Sequence, residues 1–364
     1  MSNGSIRNIA ILGGGGVGGY LGARLAEAGL RVTLFDGWQE NIDHVRRHGF
    51  ALGEVGAAQA DIVYADIRPM SDLAGRAPGD PFDLCLVAVK SYDTEGAVRA
   101  MLPHMAEDAC FVSVQNGINE TALADIVGDR RVLGCVCARI SVELTGPGAI
   151  RRSTPRGAAD LPAVFRIGKI DGAVTPRLEE IVALIAHADT AIATGNLIGE
   201  RWSKLCVNAM RNPVSAVTGL GGNGMDKDPL ARRVVIDLGA QAARIGLALG
   251  YELESIGGIP PQLLKRVAEG SAAARSEVDA ILVNASAGEG RADTQRPSMS
   301  QDVRRRRKTE IDHINGLVVR KGNELGLPVD CHEAMVALVE EIERGEIAES
   351  VENLRRVPAI ATSG

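Results

Sequence analysis

The stretch that decides the fold of this chain is Ile9-Ala10-Ile11-Leu12-Gly13-Gly14-Gly15-Gly16-Val17-Gly18-Gly19. Its apolar half has the length and composition of a buried strand, and it ends in glycines. The residues after it repeat apolar side chains at helical spacing and stop at a glycine: Tyr20, Leu21, Leu25, Ala28 and Gly29. The pattern predicts a strand, a glycine turn and a helix.

The glycines of this turn have the GxGxxG spacing of a dinucleotide site. Gly13 would permit the tight turn, Gly15 the approach of a pyrophosphate to the backbone, and Gly18 close packing of helix on strand. The helix N-terminus adds free N–H groups and a positive dipole. A second apolar run ends in a carboxylate 18 residues after the last of these glycines, where it can meet the cofactor ribose. We therefore predict these cofactor-binding residues: Gly13, Gly15, Gly16, Val17, Gly18 and Asp36.

Strand and helix patterns alternate through the first half of the chain. Apolar runs at 82–89, 110–114 and 132–137 are separated by helical patterns at 94–105 and 120–127. This alternation predicts a Rossmann-type, doubly wound parallel sheet. Strand patterns fade from residue 198, and helical patterns take over. We predict an NAD(P)-binding α/β domain over 1–197, an all-helical substrate and dimerisation domain over 198–348, and a tail over 349–364.

The composition indicates a protein that acts on small molecules. The 40 Lys and Arg residues against 46 Asp and Glu residues give a net charge of −6, so no basic field attracts nucleic acid or anionic membranes. No run of apolar residues is long enough for a membrane span. The six cysteines are scattered without metal-binding spacing, which is typical of reduced thiols in a cytoplasmic protein. We expect no nucleic-acid partner, no membrane partner and no metal site.

Two polar residues follow neighbouring strand patterns. Lys90 comes after the run that ends at Val89, and Asn116 after the run that ends at Val114. Ligands of parallel sheets bind at the carboxyl ends of the strands. We therefore expect Lys90 and Asn116 to contact cofactor or substrate beside the glycine turn.

The helical pattern over 200–216 carries polar residues every four positions. Lys204, Asn208 and Asn212 line one face between apolar residues. Hydride transfer to a carbonyl requires a proton donor at the oxygen, and a partly desolvated Lys ammonium can supply that proton. On this pattern alone, a surface lysine with two solvated asparagines remains an open alternative.

A long helical pattern over 298–325 follows Pro297, with Ser298 at its start. It contains Glu310 at the edge of its apolar stripe and a basic run, Arg304–Lys308, which we expect to be a solvated face or a phosphate-facing rim. A carboxylate at such an edge is half-buried, so it either pairs with a cation or binds a substrate hydroxyl.

Taken together, these motifs resemble the ketopantoate reductase family, in the family's order from about residue 8 to 340. Beside the glycine turn, the resemblance is carried by five stretches: 89–93, 114–117, 204–208 with 212–213, 298–302, and 308–316. It implies a Rossmann domain joined to a helical domain, with the active site between them. It implies these roles: Lys204 as general acid/base, Glu310 and Ser298 on the substrate hydroxyl and carboxylate, Asn208 and Asn212 on the substrate, Asn116 near the nicotinamide, and Lys90 near the cofactor.

The chain departs from the family at three places. The family commonly has an Arg that meets the 2′-phosphate of NADPH where this chain has Asp36, and a carboxylate favours a free ribose diol over a phosphate. We expect NAD(H), with NADP(H) possible. Where the family often has a substrate-contacting Asn, this chain has Gln295 beside Arg296, and we predict that both bind substrate. The segment 251–296 is also longer than in compact members.

The leading hypothesis is an NAD(H)-dependent oxidoreductase that interconverts a 2-oxo acid, or a related carbonyl compound, and its hydroxy form. The first alternative is reduction of 2-dehydropantoate to pantoate with NADPH, the reaction of the family's namesake in pantothenate biosynthesis. The second alternative is a non-catalytic dinucleotide sensor. The apolar helix faces of the second domain predict a homodimer.

Overall fold

The computed structural model describes residues 5–55, 57–75, 79–138, 140–154, 156, 163–286 and 296–361. The chain divides into two compact units, unit 1 over Met1–Leu197 and unit 2 over Ile198–Gly364.

The described strands of unit 1 are β1 (Asn8–Leu12), β2 (Arg31–Asp36), β3 (Phe50–Glu54), β4 (Asp61–Val63), β5 (Asp66–Pro69), β6 (Phe82–Val87), β7 (Met105–Ser113), β8 (Val132–Cys137), β9 (Val142–Gly146), β10 (Ala149–Arg152), β11 (Phe165–Gly168) and β12 (Ala191–Thr194). Its described helices are α1 (Gly16–Glu27), α2 (Gln39–His48), α3 (Asp72–Gly75), α4 (Thr94–Met101), α5 (Glu120–Val127) and α6 (Pro176–Ile185).

The main sheet has eight strands in the order β12-β11-β8-β7-β6-β1-β2-β5. The six strands from β8 to β5 are parallel, whereas β11 runs antiparallel to β8. All five residues of β1 are buried, as its continuous apolar run predicts. β1 lies between β2 and β6, so the strand order reverses there and opens a crevice at the carboxyl ends. The predicted Rossmann-type α/β fold is confirmed.

A second, four-stranded sheet with the order β4-β3-β10-β9 packs on α1. A Cβ atom at Gly19 of α1 would lie 2.8 Å from Ile150 Cδ1 and 3.1 Å from Phe50 Cε1. The pairing of β3 with β10 was not predicted, because these strands are far apart in the chain. The helix α1 is therefore covered by sheets on two sides.

Unit 2 is built from helices, as predicted; besides them its described residues contain one isolated bridge, between Ile256 and Ile259. The helices are α7 (Leu197–Thr218), α8 (Gly222–Lys227), α9 (Pro229–Ala248), α10 (Pro261–Ala268), α11 (Ala272–Ser286), α12 (Ser298–Arg304), α13 (Ile311–Glu324) and α14 (Asp330–Glu343), and a 3₁₀ turn follows at Val351–Arg356.

The long helix α9 is the centre of unit 2. The indole N–H of the buried Trp202, on α7, donates to Ala242 O at 2.9 Å. Gly246 makes this approach possible, because a Cβ there would overlap the Trp202 ring. Helix α7 is thereby packed directly on α9.

The prediction of one helix over 298–325 is wrong. Helix α12 ends at Arg304, and α13 begins at Ile311. The end has the hydrogen bonds of a Schellman motif, from Arg307 N to Asp302 O and from Arg306 N to Val303 O, with Arg306 in the left-handed region at φ 52°. Glycine usually occupies that position, so the sequence carried no stop signal. The exposed run 304–308 begins at the last residue of α12, and 305–308 lie in this break.

The stretch after residue 348, predicted as a tail, is part of unit 2 as far as Pro358. Arg233 on α9 donates to the carbonyl oxygens of Leu354, Val357 and Pro358 at 3.0 to 3.3 Å. Leu354 is fully buried. The sequence did not reveal this attachment because its anchors, Arg233 among them, lie far upstream in the chain.

A buried polar chain joins four helices of unit 2. Pro213 lies inside α7 and has no N–H for the carbonyl of Ala209, four residues earlier. Asn315 Nδ2 on α13 donates to Ala209 O at 2.9 Å and lies 3.0 Å from His332 Nδ1 on α14. His332 Nε2 lies 3.0 Å from Leu238 O on α9. Asn315 and His332 are fully buried.

We expect Gly246→Ala to destabilise unit 2. Its Cβ would overlap the Trp202 indole, and overpacking a filled core costs about 1–3 kcal/mol. Thermal unfolding followed by Trp202 fluorescence in a Trp38→Phe background measures this. Gly222→Ala on α8 is the matched control, because no atom lies within 4 Å of its Cβ position. An equal loss in both variants would contradict the packing argument.

We also expect unit 2 to lose stability in mild acid. Burial lowers the pKa of His332 to about 4, although the Leu238 carbonyl and Asp330 oppose this shift. Between about pH 6.5 and pH 4 the unfolded chain therefore binds a proton that the folded chain does not. The free energy of unfolding carries the full contribution above pH 6.5 and loses about 3 kcal/mol as the pH falls to 4.

Denaturant unfolding at a series of pH values measures this loss. The variant His332→Asn should lack it, whereas His187→Gln, at an exposed histidine, should retain it. Identical pH dependence of wild type and His332→Asn would show that His332 is not the group responsible.

Candidate cofactor and substrate sites

The glycine turn between β1 and α1 has the geometry of a dinucleotide site. Gly13 adopts φ 101°, and its N–H donates to Phe35 O at 2.7 Å. A Cβ at Gly18 would overlap Gly13 O and lie 2.8 Å from Ala88 Cβ, so α1 packs directly on the sheet. A Cβ at Gly15 would meet no atom within 4 Å. The turn is thus closed where packing requires it and open at Gly15, where a pyrophosphate would approach.

Asp36 ends β2 beside this turn, and its half-buried carboxylate is held in place. Trp38 N donates to Oδ1 at 3.2 Å, and Asn41 Nδ2 donates to Oδ2 at 2.8 Å. The carboxylate is oriented before any ligand arrives, and each oxygen retains a lone pair for a further donor.

The sequence analysis missed Asn41, which holds Asp36, and the need for glycine at position 14. Asn41, fully buried at the start of α2, also donates to Gly14 O at 3.3 Å and accepts from Gly148 N at 2.8 Å. Since Gly148 N can only donate, the amide orientation is fixed. A Cβ at Gly14 would lie 2.6 Å from Asp36 Oδ2, so glycine is required there as well. The available signal was the spacing of Asn41, five residues after Asp36.

Lys90 and Asn116 lie in the loops after β6 and β7, the next strands along the same sheet edge. Both are half-buried. Asn119 Nδ2 donates to Asn116 O at 2.8 Å, and Ser91 Oγ donates to the same oxygen at 3.4 Å. The structure therefore places these two predicted residues and the glycine turn along one edge of unit 1.

The helix α7 has one face that is more open than the others. Lys204, Val207, Asn208 and Arg211 are half-buried, whereas the residues between them are buried. Arg211 is ion-paired with the fully buried Asp226 of α8 at 3.0 Å. Asn212, predicted on the same face, is only 7% exposed. The structure places Lys204 and Asn208 together on a partly desolvated face.

The other predicted substrate residues surround α12 and the break after it. Ser298 is the first residue of α12, with Pro297 at the N-cap, and Arg296 and Ser298 are half-buried. Glu310 is the N-cap of α13 and is 6% exposed, more buried than predicted. Its side chain does not cap the N–H groups of its own helix. Gln295 lies outside the described residues.

The described residues contain no group of three or more His, Cys, Asp or Glu side chains that could hold a metal ion. All six cysteines are buried thiols. In the described part of the chain, every helix is too short or too polar to cross a membrane.

Comparisons with known proteins agree with the resemblance. Residues 9–164 match the family described as Ketopantoate reductase PanE/ApbA, and residues 196–343 match Ketopantoate reductase PanE/ApbA C terminal. A relative from Archaeoglobus fulgidus named 2-dehydropantoate 2-reductase is 25% identical over 342 residues, which cover 93% of this chain and 99% of that protein.

Solved structures agree as well. A PanE/ApbA family ketopantoate reductase from Ralstonia eutropha has a TM-score of 0.72 and 28% identity over 93% of this chain and 99% of its own. D-mandelate dehydrogenase, solved with NADH and anilino(oxo)acetate, shares the fold with a TM-score of 0.74 and 21% identity over the same shares. This chain belongs to the ketopantoate reductase family and is an oxidoreductase.

Proposed function

We propose that this protein is an NADH-dependent reductase of 2-oxo acids that also runs in reverse as a hydroxy-acid dehydrogenase. The observation that carries the cofactor choice is the fixed carboxylate of Asp36 beside the glycine turn. A carboxylate accepts hydrogen bonds from both hydroxyls of a ribose diol and repels a 2′-phosphate. Because Asn41 and Trp38 N hold Asp36, its carboxylate cannot turn away from a phosphate without breaking both hydrogen bonds.

We expect Asp36→Asn to weaken this preference. The substitution keeps the size of the side chain and removes its charge, so kcat/KM with NADH should fall about 10-fold, the value of about 1.4 kcal/mol lost from a charge-assisted hydrogen bond, while kcat/KM with NADPH rises. Steady-state rates with both cofactors measure the ratio.

Glu40→Gln is the matched control for this experiment. It removes the same charge from the exposed Glu40 of α2, so the ratio should not change. A wild-type enzyme that prefers NADPH would overturn the cofactor assignment.

In the proposed mechanism Lys204 is the general acid. The nicotinamide supplies the hydride when it is bound. Lys204 Nζ donates a proton to the carbonyl oxygen as negative charge develops there, and it takes the proton back in the oxidative direction. The partly desolvated face of α7 supports this role, because desolvation favours release of a proton by an ammonium group.

The remaining predicted residues would bind the substrate. Arg296 and Ser298 offer donors to a carboxylate, and Glu310 offers an acceptor to the hydroxyl of the reduced product. Asn208 and Asn212 would orient the reacting group. The position of Glu310 at the N-cap of α13, directly after the break that follows α12, supports this assignment.

We expect Lys204→Ala to lower kcat by about 10² to 10⁴, the usual contribution of a general acid. Lys204→Arg should be nearly as slow, because a guanidinium keeps the charge but does not release a proton near neutral pH. NADH binding, followed by fluorescence titration, should stay unchanged in both. Lys227→Ala, at an exposed lysine of α8, is the control. Turnover by Lys204→Ala at the wild-type rate would overturn the mechanism.

The substrate is best identified with a panel of 2-oxo acids, including 2-dehydropantoate, assayed with NADH and NADPH. The name of the Archaeoglobus relative favours 2-dehydropantoate as a second candidate. Best turnover of 2-dehydropantoate with NADPH would establish that candidate. Tight cofactor binding without turnover of any member would favour a sensor. The homodimer and the cytoplasmic location stay predictions.

A further inference from the structure

The helix that carries Lys204 has a carbonyl whose usual backbone donor, four residues later, is a proline. In an unbroken α-helix, residue 213 would donate to Ala209 O, but Pro213 has no N–H. Asn315 Nδ2, on α13, donates to Ala209 O instead, at 2.9 Å. Ala209 directly follows Asn208, which shares the half-buried face of α7 with Lys204. The contact from Asn315 therefore fixes α7 next to these two predicted substrate-site residues.

Two carbonyl oxygens fix the donor and the acceptor of each hydrogen bond that links Asn315 and His332 to α7 and α9. Ala209 O and Leu238 O can only accept, so Asn315 must present its NH₂ group to Ala209 and His332 must carry its proton on Nε2. Neutral His332 then accepts from Asn315 at Nδ1. Burial holds His332 neutral, since it lowers the pKa to about 4.

This arrangement is costly for the fold. Asn315 and His332 are both fully buried, and Asn315 Oδ1 has no hydrogen-bond partner among the described residues. An apolar side chain at position 315 would avoid that unsatisfied oxygen only together with a non-proline residue at 213 that pairs with Ala209 O. Where a buried polar group is retained despite such a cost, a requirement for a defined geometry is a physical reason for it.

We propose that Asn315, oriented by His332, is a positioning residue that fixes α7 at Ala209 and thereby the placement of Lys204 and Asn208 for the reaction. Neither residue touches substrate in this proposal. It rests on the proposed role of Lys204.

The test combines Asn315→Leu with Pro213→Ala, using NADH and the best 2-oxo acid of the panel. Asn315→Leu should lower both the melting temperature and kcat, the latter by about 10 to 100-fold, because small displacements of a catalytic group have large effects on rate. The Kd for NADH should not change, because the cofactor residues lie in unit 1. In the double variant, residue 213 supplies an N–H to Ala209 O, so the melting temperature should recover.

The value of kcat in the double variant distinguishes positioning from a structural role. If Asn315 acts by fixing α7 in its proline-containing geometry, a regular helix in the double variant does not restore the placement of Lys204 and Asn208. In that case kcat stays low while the melting temperature recovers. Recovery of kcat together with the melting temperature would overturn the proposal, and so would an Asn315→Leu enzyme with wild-type kcat. Loss of the Lys204 assignment is seen separately, in unchanged turnover by Lys204→Ala.

A second pair of variants tests the same proposal if Asn315→Leu fails to fold. His332→Asn keeps an acceptor near the Nδ1 position, so Asn315 stays oriented and most of kcat should remain. His332→Leu removes the acceptor, and kcat should fall without a change in the Kd for NADH. Equal kcat values in the two variants would overturn the proposal.

Discussion

The lack of a side chain at Gly18 is the constraint on which unit 1 depends. Because a Cβ there would overlap Gly13 O and press on Ala88, α1 can lie against the ends of β1 and β6 only with glycine at this position. Its N-terminus is thereby set beyond β1, and the turn that leads into it brings Gly14 against the carboxylate of Asp36. The position of the helix, the open backbone at Gly15 and the approach of Gly14 to the Asp36 carboxylate follow from one close contact.

The parts of the fold that the sequence predicts are those encoded by neighbouring residues. The strand β8 and the helix α5 begin and end where their apolar periodicity places them. The pairing of β3 with β10 joins segments about a hundred residues apart, so no local sequence pattern predicts it. The break after α12 escaped prediction for another reason: Arg306 takes a left-handed conformation that is usually marked by glycine.

In the candidate sites, too, the features encoded by neighbouring residues were predicted and those that depend on distant residues were not. Spacing alone places Lys204 and Asn208 on one face of a helix, and their shared half-burial agrees with it. The residues that fix the surroundings of the sites come from distant parts of the chain. Gly148 holds Asn41 beside Asp36, and Asn315 with His332 holds Ala209 beside Asn208. One signal was nevertheless present. A proline inside a predicted helix implies a carbonyl four residues earlier that needs a donor from elsewhere, and a buried Asn is a suitable donor.

Pro213 and Asn315 also constrain each other over evolutionary time. A chain that loses the asparagine first keeps a buried carbonyl without a donor, whereas a chain that loses the proline first brings a second donor to an oxygen that has a lone pair for each. The asparagine can therefore be lost without leaving an unpaired carbonyl only after the proline, so the two positions form an epistatic pair although they lie on different helices. We expect descendants of this sequence that keep its reaction rate to retain both residues, and those that exchange both to lose the proline first.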